Sequence, residues 1–366
     1  MLPFDPEDFA RRESSWLELD GPEMDVVVSC RVRLARNLEG YPFVSRLPTE
    51  RARELSSSVR QGVANSDLGG TATWVDMDAV SPLVRMLLAE RHLISRDLAR
   101  VERGKDPRPG RAAVFDPDEG LSIMVNEEDH LRVQGLSGGF QLREAWSRAN
   151  VADRLLEERV QFSFTEGLGY LTACPTNVGT GMRASVMLHL PGLGMIPSEI
   201  EKVIQAAERT SLAVRGMYGE GSRAVGDFYQ VSNQVTLGCS EDRLLTDLER
   251  LVPSVLDFER RVRDTIVKRE PQATADRVAR SLGTLRAARS LTTEVALMHL
   301  SNVRLGVCLG MITGVSPSRL NHLAIQIQPA HVHLLSGGSF DEVLPDPTER
   351  DRLRASYLRR QTADIV

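Results

Sequence analysis

The 366-residue chain is poor in lysine, in cysteine and in long apolar runs. All but three of its 45 basic residues are arginine, which the codon bias of a GC-rich genome would explain. Its four cysteines show no C-x-x-C spacing, which argues against a zinc site and against a disulfide framework. No apolar run is long enough to span a membrane and no signal peptide is recognisable, so the expected location is the cytoplasm.

Charge and size are those of an ordinary soluble protein. The net charge of −5 gives no reason to expect nucleic acid as the main partner. The content of charged and apolar residues is close to that of average globular chains. A chain of this length is expected to form two domains.

Strand patterns fill the first two thirds of the chain. Alternating or short apolar runs predict strands at residues 26–33, 73–77, 112–115, 121–125, 131–135, 184–190 and 229–237. Amphipathic spacing predicts helices at residues 48–63, 82–90, 142–160 and 197–208. Strands joined by hairpins, with helices inserted between them, indicate an α+β fold in which an antiparallel sheet is flanked by helices.

After about residue 244 the strand pattern ends and helical periodicity takes over. Helices are predicted at residues 244–268, 275–289, 292–311, 318–335 and 348–360, and Pro329 is expected to kink or interrupt the fourth. The first 24 residues are acidic and are expected to form an irregular arm. The predicted organisation is therefore an arm at 1–24, a catalytic domain at 25–250 and an all-α domain at 251–366.

The stretch from Cys174 to Arg183 concentrates chemically useful groups. It combines a thiol, a hydroxyl, an amide, two glycines and a guanidinium within ten residues. Gly179 and Gly181 allow a tight turn whose consecutive N–H groups would form an anion-binding nest. Arg183 would add a bidentate partner for phosphate. Pro175 holds Cys174 in an extended conformation, so that its sulfur can point out of the turn. The alternative is a surface loop beside a buried thiol.

Three further stretches carry charge at the ends or along the faces of predicted strands. In Asn126–Arg132, adjacent acidic residues follow the strand at residues 121–125. A nearby cation would reduce the repulsion between their carboxylates. In the strand at residues 26–33, the side chains of Ser29, Arg31 and Arg33 share one face. A further arginine opens the glycine-containing loop Arg215–Glu220.

In these four stretches the chain resembles the ATP:guanidino phosphotransferases, or phosphagen kinases, and within them the bacterial protein arginine kinases. The most specific signatures are Asn126-Glu127-Glu128-Asp129-His130-Leu131-Arg132 and Cys174-Pro175-Thr176-Asn177-Val178-Gly179-Thr180-Gly181-Met182-Arg183. They occur in the family's order, and the resemblance extends from about residue 25 to the C-terminal helix. It implies the family's catalytic fold, with ATP and Mg²⁺ as cofactors.

The resemblance also implies which residues bind the nucleotide. Arg31, Arg33, Arg132, Arg183 and Arg215 are expected to contact the phosphates. The complete expected set is Ser29, Cys30, Arg31, Val32, Arg33, His92, Arg132, Arg183, Ala184, Ser185, Val186, Met187, Arg215, Gly216, Met217, Tyr218, Gly219 and Glu220. Each arginine alone would be read as a solvated surface charge, and a lone histidine such as His92 as structural.

The reaction to be explained is transfer of the γ-phosphoryl group of ATP to a guanidinium. Glu128 is expected to be the general base, and Glu127 to support Mg²⁺ through water with no direct metal ligand. Cys174 as a thiolate would stabilise the positive charge of the acceptor. A covalent phosphocysteine is the alternative, but direct transfer requires no intermediate.

The identity of the acceptor is inferred from what precedes the first strand. Kinases of small guanidino compounds carry a helical domain there, and this chain leaves no room for one, which favours an open site and an arginine within a protein. A small-guanidino phosphagen kinase and a catalytically inactive phosphoarginine-binding regulator are the alternatives. The abundance of arginine makes autophosphorylation possible.

The C-terminal helix carries a second candidate site. Its stretch Arg350-Asp351-Arg352-Leu353-Arg354-Ala355 matches the family's R-D-x-x-R-A motif, which implies an allosteric phosphoarginine pocket. Arg350 and Arg354 are four residues apart and share one helix face, although a solvated charged helix would show the same spacing. The resemblance further implies a homodimer formed through the helical domain, an activator protein, and delivery of marked proteins to a Clp-type protease during stress.

Overall fold

The computed structural model describes residues 4–18, 21–100, 109–217 and 224–366. Within these residues, one large antiparallel sheet is followed by a helical region. The strands are β1 (Val27–Arg36), β2 (Thr73–Asp76), β3 (Ala112–Phe115), β4 (Leu121–Val125), β5 (Leu131–Gly138), β6 (Phe164–Thr165), β7 (Gly169–Tyr170), β8 (Met182–His189), β9 (Leu212–Gly216) and β10 (Phe228–Asn233). Eight of them form the sheet in the order β2-β3-β4-β5-β1-β8-β10-β9, and β6 pairs with β7.

Helices are inserted between the strands and follow them. They are α1 (Pro6–Arg11), α2 (Ser15–Glu18), α3 (Thr49–Ala64), α4 (Pro82–Glu90), α5 (Arg96–Ala99), α6 (Leu142–Glu157), α7 (Pro191–Gly194), α8 (Pro197–Glu208), α9 (Glu241–Arg269), α10 (Pro271–Ala287), α11 (Thr293–Cys308), α12 (Pro317–Gln326), α13 (Pro329–Leu335) and α14 (Pro347–Gln361). The predicted α+β class is confirmed, since the sheet is antiparallel, flanked by helices and followed by an all-helical region.

The two faces of the central strands differ in polarity because side chains alternate along a strand. On one face of β1 and β8, Val32, Ala184 and Val186 have no exposed surface and pack in a core with Ala145 of α6 and Leu248 of α9. Complete burial of an aliphatic side chain of valine size contributes about 1.5–3 kcal/mol. The other face carries the polar residues of the same strands.

The helical region has a core of its own. Leu285, Leu300, Leu323 and Leu358, from α10, α11, α12 and α14, are buried in one cluster. The stretch predicted as a single helix at residues 318–335 is divided into α12 and α13, with Pro329 as the first residue of α13. Proline lacks the N–H that an interior helical residue donates, so it begins a new helix here, as the sequence predicted.

The first residues are not the irregular arm that the sequence predicted. They form the short helices α1 and α2. The side chain of Asp5 accepts hydrogen bonds from the N–H groups of Glu7 and Asp8 and caps α1. Phe9 of α1 and Leu17 of α2 are each only 1% exposed. The arm is therefore packed against the rest of the protein.

Two other elements differ from the sequence-based assignment. The strand β9 was predicted only as a loop that begins at Arg215, and it forms the edge of the sheet beside β10. Helix α9 runs across residues 250 and 251, where the sequence suggested a domain boundary. Its apolar residues up to Val262 pack in the same core as the sheet.

Buried arginines hold the region where the sheet meets the helices. Arg304 of α11 is 1% exposed and donates hydrogen bonds to the carbonyl of Met24 at 2.7 Å, to the carbonyl of Asp25 at 3.2 Å and to Nδ1 of His189 at 2.7 Å. The Nε2 of His189 therefore carries the proton and donates to Ser301 Oγ at 2.8 Å. Burial, with the charges of Arg304 and Arg263, holds the pKa of His189 well below its ordinary value.

Candidate active site

Five arginines lie on the face of the sheet that α6 and α9 leave uncovered. In the β1–β8 register Arg33 is directly opposite Arg183, and Arg31 is opposite Ser185. Directly opposite residues of an antiparallel pair point to the same face, and residues two apart on a strand do so too. The same rule places Arg132 of β5, opposite Ala35, and Arg215 of β9 on this face. The phosphate-binding arginines predicted from sequence are thus brought together.

The arginines repel one another strongly. The pKa of Arg33 is held well below its ordinary value, first by the charge of Arg31 and then by burial and by Arg132 and Arg183. Burial and the charge of Arg215 lower the pKa of Arg183. A polyanion on this face would remove the repulsion and leave the guanidiniums paired. The face is therefore built for a ligand with several negative charges.

Two glutamates lie at the end of this row of arginines, in the turn between β4 and β5. The Nη2 of Arg132 is 3.0 Å from both Glu127 Oε2 and Glu128 Oε2. The carboxylate of Glu127 is buried and also accepts hydrogen bonds from Ser95 Oγ at 2.5 Å and from the N–H of Glu128 at 2.7 Å. The side chain of Glu128 is 49% exposed, so it can meet an incoming group.

The two glutamates differ in what they can do chemically. Both oxygens of Glu127 accept hydrogen bonds from fixed donors, so this carboxylate holds Arg132 and the turn. Burial raises the pKa of Glu128, as do the charges of Asp129 and Glu127, while Arg132 opposes the rise. A carboxylate with a raised pKa and an open side is suited to accept a proton.

A buried clamp that the sequence did not reveal joins this turn to the Cys174 loop. Asp129 has no exposed surface, and its Oδ1 accepts hydrogen bonds from Asn37 Nδ2 at 2.7 Å and from the N–H of Ala173 at 2.6 Å. Asn37 Oδ1 accepts the N–H of His130 at 3.0 Å, and Asn37 Nδ2 also donates to the carbonyl of Leu171. Asn37 therefore fixes the glutamate turn and the thiol loop relative to each other.

Cys174 is positioned as the sequence predicted. Its backbone is extended, with φ −92° and ψ 121°, and it caps the short 3-10 turn Pro175–Asn177. Its Sγ lies 3.0 Å from Thr176 Oγ1. The thiol is close enough to Arg183 to counteract the lowering of that arginine's pKa. Thiol, guanidinium and glutamate turn thus share one edge of the site.

The predicted anion nest in the glycine turn is wrong. Gly179 and Gly181 do have positive φ angles, 114° and 63°. A Cβ on Gly179 would meet the carbonyl oxygen of Thr236 at 2.3 Å, and one on Gly181 would meet that of Ala35 at 2.6 Å. The glycines thus allow close approach to the protein's own strands. The N–H groups at 177–180 all bond to backbone carbonyls, so they do not point to a ligand.

The remaining nucleotide-binding candidates fall into three groups. Ser29, Ser185, Met187 and His92 line a pocket on the open face, together with Arg31. The side chains of Cys30, Val32, Ala184 and Val186 lie on the opposite face, in the core, so they support the sheet from behind. Arg215 and Gly216 end β9 and Met217 follows, whereas Tyr218, Gly219 and Glu220 lie outside the described residues.

His92 combines an unusual backbone with an uncharged ring. Its φ of 62° lies in the left-handed region, which is uncommon for a residue with a side chain. Its carbonyl accepts a hydrogen bond from Gln134 Nε2 at 2.7 Å. Burial, then the charges of Arg31, Arg96 and His331, lowers its pKa to about 4. The ring is therefore neutral at physiological pH and faces the pocket as a flat, uncharged group.

The motif in α14 is arranged differently from the two open guanidiniums that the sequence suggested. Arg354 is 2% exposed and donates to the carbonyls of Ile327 at 2.8 Å and Leu291 at 2.7 Å and to Asp351 Oδ1 at 2.5 Å. It orients Asp351, which stays partly exposed. Arg350 is partly exposed and Arg352 is exposed, while Leu353 and Ala355 pack toward the core.

The residues present fit a metal carried by the triphosphate better than one held by the protein. Among the described residues, no group of three or more histidine, cysteine, aspartate or glutamate side chains could hold a metal ion. The buried carboxylate of Glu127 contacts Arg132, and its oxygens are already hydrogen-bonded. Mg²⁺ commonly keeps several waters when phosphates bind it, which matches such a site.

An arginine-lined sheet face beside an open glutamate and a thiol defines a phosphotransferase site that acts on a polyanionic donor. Residues 54–262 match the family model of the ATP:guanido phosphotransferase C-terminal catalytic domain, and residues 271–365 match that of the protein-arginine kinase McsB C-terminal domain. The chain is 42% identical over 355 residues to a protein-arginine kinase of Pelotomaculum thermopropionicum, covering 96% of both chains. It is 41% identical to one of Bacillus cereus, covering 95% of both. The chain belongs to the protein-arginine kinases of the ATP:guanido phosphotransferase family.

Solved structures are similar in fold. A lombricine kinase matches with a TM-score of 0.56 and 27% identity, covering 69% of this chain and 70% of that chain. A duplicated taurocyamine kinase from Schistosoma mansoni matches with a TM-score of 0.57 and 28% identity, covering 68% of this chain and 36% of that chain. No helix in the described ranges is long and apolar enough to cross a membrane.

Proposed function

We propose that the protein transfers the γ-phosphoryl group of ATP to arginine side chains of proteins. The observation that carries the proposal is the open carboxylate of Glu128, held 3.0 Å from Arg132 at the end of the arginine row. A phosphate chain along the arginines ends beside Glu128, which is where an acceptor must be. An acceptor guanidinium can approach Glu128 from solvent, because about half of that side chain is exposed.

Transfer proceeds with one bond made and one broken. The acceptor nitrogen forms a bond to the γ-phosphorus while the bond from that phosphorus to the β–γ bridging oxygen breaks, and ADP leaves. Glu128 takes the proton that the attacking nitrogen loses. Because a free guanidinium does not lose its proton below pH 12, proton loss accompanies attack. The arginines stabilise the charge of the transferring group, and Mg²⁺ carried by the phosphates adds to this.

Cys174 acts on the acceptor electrostatically. Its sulfur is next to Arg183 and is held by the clamp through Ala173. Negative charge on this sulfur would stabilise the positive charge of an acceptor guanidinium. The hydrogen bond with Thr176 fixes the direction of the sulfur. A phosphocysteine intermediate would require a second phosphoryl transfer, and direct transfer to the acceptor needs no such intermediate.

The test is an assay in which the acceptor is identified chemically. Purified protein, with ATP, Mg²⁺ and any activator, is incubated with casein and, separately, with free arginine, and the products are analysed by mass spectrometry. We expect phosphoarginine in casein. Products phosphorylated only on free arginine would favour a small-guanidino kinase, and products phosphorylated only on oxygen would refute the proposal. A Glu128→Gln protein is the matched control.

The C-terminal helices serve regulation and assembly. The proposed domains are an arm at 1–24, a catalytic domain from residue 25, and a helical domain that forms a homodimer and binds phosphoarginine. The boundary predicted at 250 is moved toward the end of α9, since that helix packs on the sheet up to Val262. Asp351, with Arg350 and Arg352 beside it, contacts the phosphoarginine, and Arg354 keeps Asp351 oriented. Further proposals are a cytoplasmic location, an activator protein, and degradation of the marked proteins by a Clp-type protease in the stress response.

A further inference from the structure

The stretch between helices α4 and α5 connects two parts of the active site. At its start, the carbonyl of His92 accepts a hydrogen bond from Gln134 Nε2 of β5 at 2.7 Å. Three residues further, Ser95 reaches the glutamate turn. The two residues between them, Leu93 and Ile94, are 0% and 5% exposed, so the stretch is anchored in the core.

The hydroxyl of Ser95 has a defined direction. Its Oγ accepts the N–H of Leu98 at 3.0 Å and thereby caps α5. A backbone N–H can only donate, so the single hydroxyl proton points to Glu127 Oε1, which is 2.5 Å away. Hydrogen bonds from a hydroxyl to a carboxylate are about 2.5–2.7 Å long and are among the stronger ones in proteins.

Glu127 receives the Ser95 proton on one oxygen and binds two other donors with the second. Its Oε2 accepts the N–H of Glu128 at 2.7 Å and lies 3.0 Å from Arg132 Nη2. The side chain of Glu127 is only 2% exposed, so water does not readily replace a lost donor. Glu128, whose side chain is 49% exposed, is held at the site by the same guanidinium nitrogen.

The two glutamates therefore compete for one guanidinium. Without the Ser95 hydroxyl, Oε1 of Glu127 would be a buried, charged oxygen that has lost its donor, which is a costly arrangement. Arg132 already contacts this carboxylate and would turn toward Oε1. Glu128 would then lose the contact that holds it at the end of the arginine row. Ser95 prevents this by supplying the donor itself.

We propose that Ser95 is a positioning residue for phosphoryl transfer, whose hydroxyl keeps Arg132 shared between Glu127 and Glu128 and so holds Glu128 toward the acceptor. The proposal rests on the proposed function in that Glu128 is the base. It adds to the active site a residue that acts only through other side chains and that the sequence did not single out.

Ser81 offers a matched structural control. It caps α4 as Ser95 caps α5, since its Oγ accepts the N–H of Val84 at 3.3 Å. Its hydroxyl also donates to a distant acceptor, the carbonyl of Phe340, at 2.7 Å. Both serines are half-buried. Alanine at either position removes one helix cap and one long-range hydrogen bond, but only the bond from Ser95 leads to the glutamates.

The first experiment compares Ser95→Ala with Ser81→Ala at a temperature where thermal unfolding shows both proteins to be folded. Phosphoarginine formation in casein is measured at saturating ATP, and the Kd of ATP by calorimetry. In Ser95→Ala, kcat should fall about ten-fold or more, because a misplaced catalytic group is costly. The Kd of ATP should change far less, since the other four arginines of the row are untouched. Ser81→Ala should keep both values.

Two outcomes of this comparison would overturn the proposal. An unchanged kcat in Ser95→Ala would show that the hydroxyl does not position the base. An equal fall of kcat in Ser95→Ala and Ser81→Ala would show that the loss of a cap is the whole effect.

A second measurement asks whether Ser95 acts through Glu128. In a Glu128→Gln protein there is no base to position, so adding Ser95→Ala should change the residual rate by less than about two-fold. A fall by the same factor as in the wild-type background would overturn the proposal. A Glu128→Gln protein with the wild-type rate would refute the proposed base and the role of Ser95 with it. A slow Glu128→Gln protein beside a normal Ser95→Ala protein would refute the role of Ser95 alone.

Discussion

At the scale of single residues, Glu128 is the proposed general base. Replacing it by glutamine keeps its size and removes the base, so kcat should fall by about 10²–10⁴-fold. The Kd of ATP should be nearly unchanged, because the proposed role of Glu128 is on the acceptor and Arg132 retains Glu127 as its partner. Turnover and calorimetry on the same protein test this. A large loss of ATP affinity would place Glu128 in nucleotide binding instead.

The ionisation of Glu128 also predicts the acid side of the pH–rate profile. Its pKa is raised above the ordinary glutamate value, chiefly by burial. Since the unprotonated form accepts the proton, kcat/KM should fall as the pH decreases through this raised pKa. His92, with a pKa of about 4, stays neutral through neutral and mildly acidic pH and adds no second limb there. In Glu128→Gln the residual rate should lose this limb. If the limb persists there, another group causes it.

At the scale of elements, the clamp between the glutamate turn and the Cys174 loop should determine kcat more than KM for ATP. Asn37→Ala removes the donor to Asp129 and the acceptor of His130 N–H, which lets the turn and the loop move apart. We expect kcat to fall about ten-fold or more, since small displacements of catalytic groups are costly. Asn65→Ala, at the exposed end of α3, is the matched control.

A purely structural role of Asn37 would have a different signature. Lower protein stability with unchanged kcat at a temperature where the protein is folded would contradict the positioning role. Thermal unfolding and kinetics should therefore be measured together, with Asn37→Asp as the conservative variant. Aspartate keeps the acceptor for His130 but faces Asp129 with a second carboxylate, so it should not restore the rate.

Most of the sheet could be predicted from sequence because its cues are local. The alternation in β1 was enough to place Arg31 and Arg33 on one face, and the β3–β4 hairpin was assigned with the bounds that the structure has. Elements that depend on distant partners were missed. The arm is ordered by Arg91, Glu119 and Ser318, and nothing within the arm indicates these partners.

The site shows the same division between local and distant information. The glutamate turn and Cys174 were found because their motifs are contiguous. Asn37 was missed because its partners, Asp129 and Ala173, are far away in sequence. The glycine turn was misread as an anion nest, since only the fold brings the carbonyl of Thr236 against Gly179. Edge strand β9 was overlooked because its five residues end in the arginine and glycine of the following loop.

At the scale of the whole molecule, the α14 motif should couple product to activity. Asp351→Asn removes the carboxylate that would pair with the guanidinium of phosphoarginine, with little change in shape. We expect basal kinase activity to be kept and stimulation by added phosphoarginine to be lost. Asp264→Asn, at an exposed position of α9, is the control. A wild-type rate that does not respond to phosphoarginine, or a variant that still responds, would contradict this.

Arg354 is unsuitable for that experiment. Its buried guanidinium donates three hydrogen bonds, and an alanine there would leave the carbonyls of Ile327 and Leu291 unpaired. Each buried unpaired group costs about 1–3 kcal/mol, so a loss of response would not be distinguishable from local unfolding. If phosphoarginine in this pocket tightens the binding of ATP, linkage requires that ATP tighten the binding of phosphoarginine by the same factor.

The buried arginines have a consequence for molecules that unfold and are then phosphorylated. Arg36, Arg91, Arg304 and Arg354 are among the largest fully buried side chains, so folding shields them from any copy of the enzyme. A chain that opens exposes them, and a phosphoryl group added then reverses their charge and prevents the carbonyl contacts from forming again. Phosphoarginine mapping of folded and heat-opened protein should find these positions only in the latter. Phosphoarginine at these positions would thus mark the molecules that have unfolded at least once.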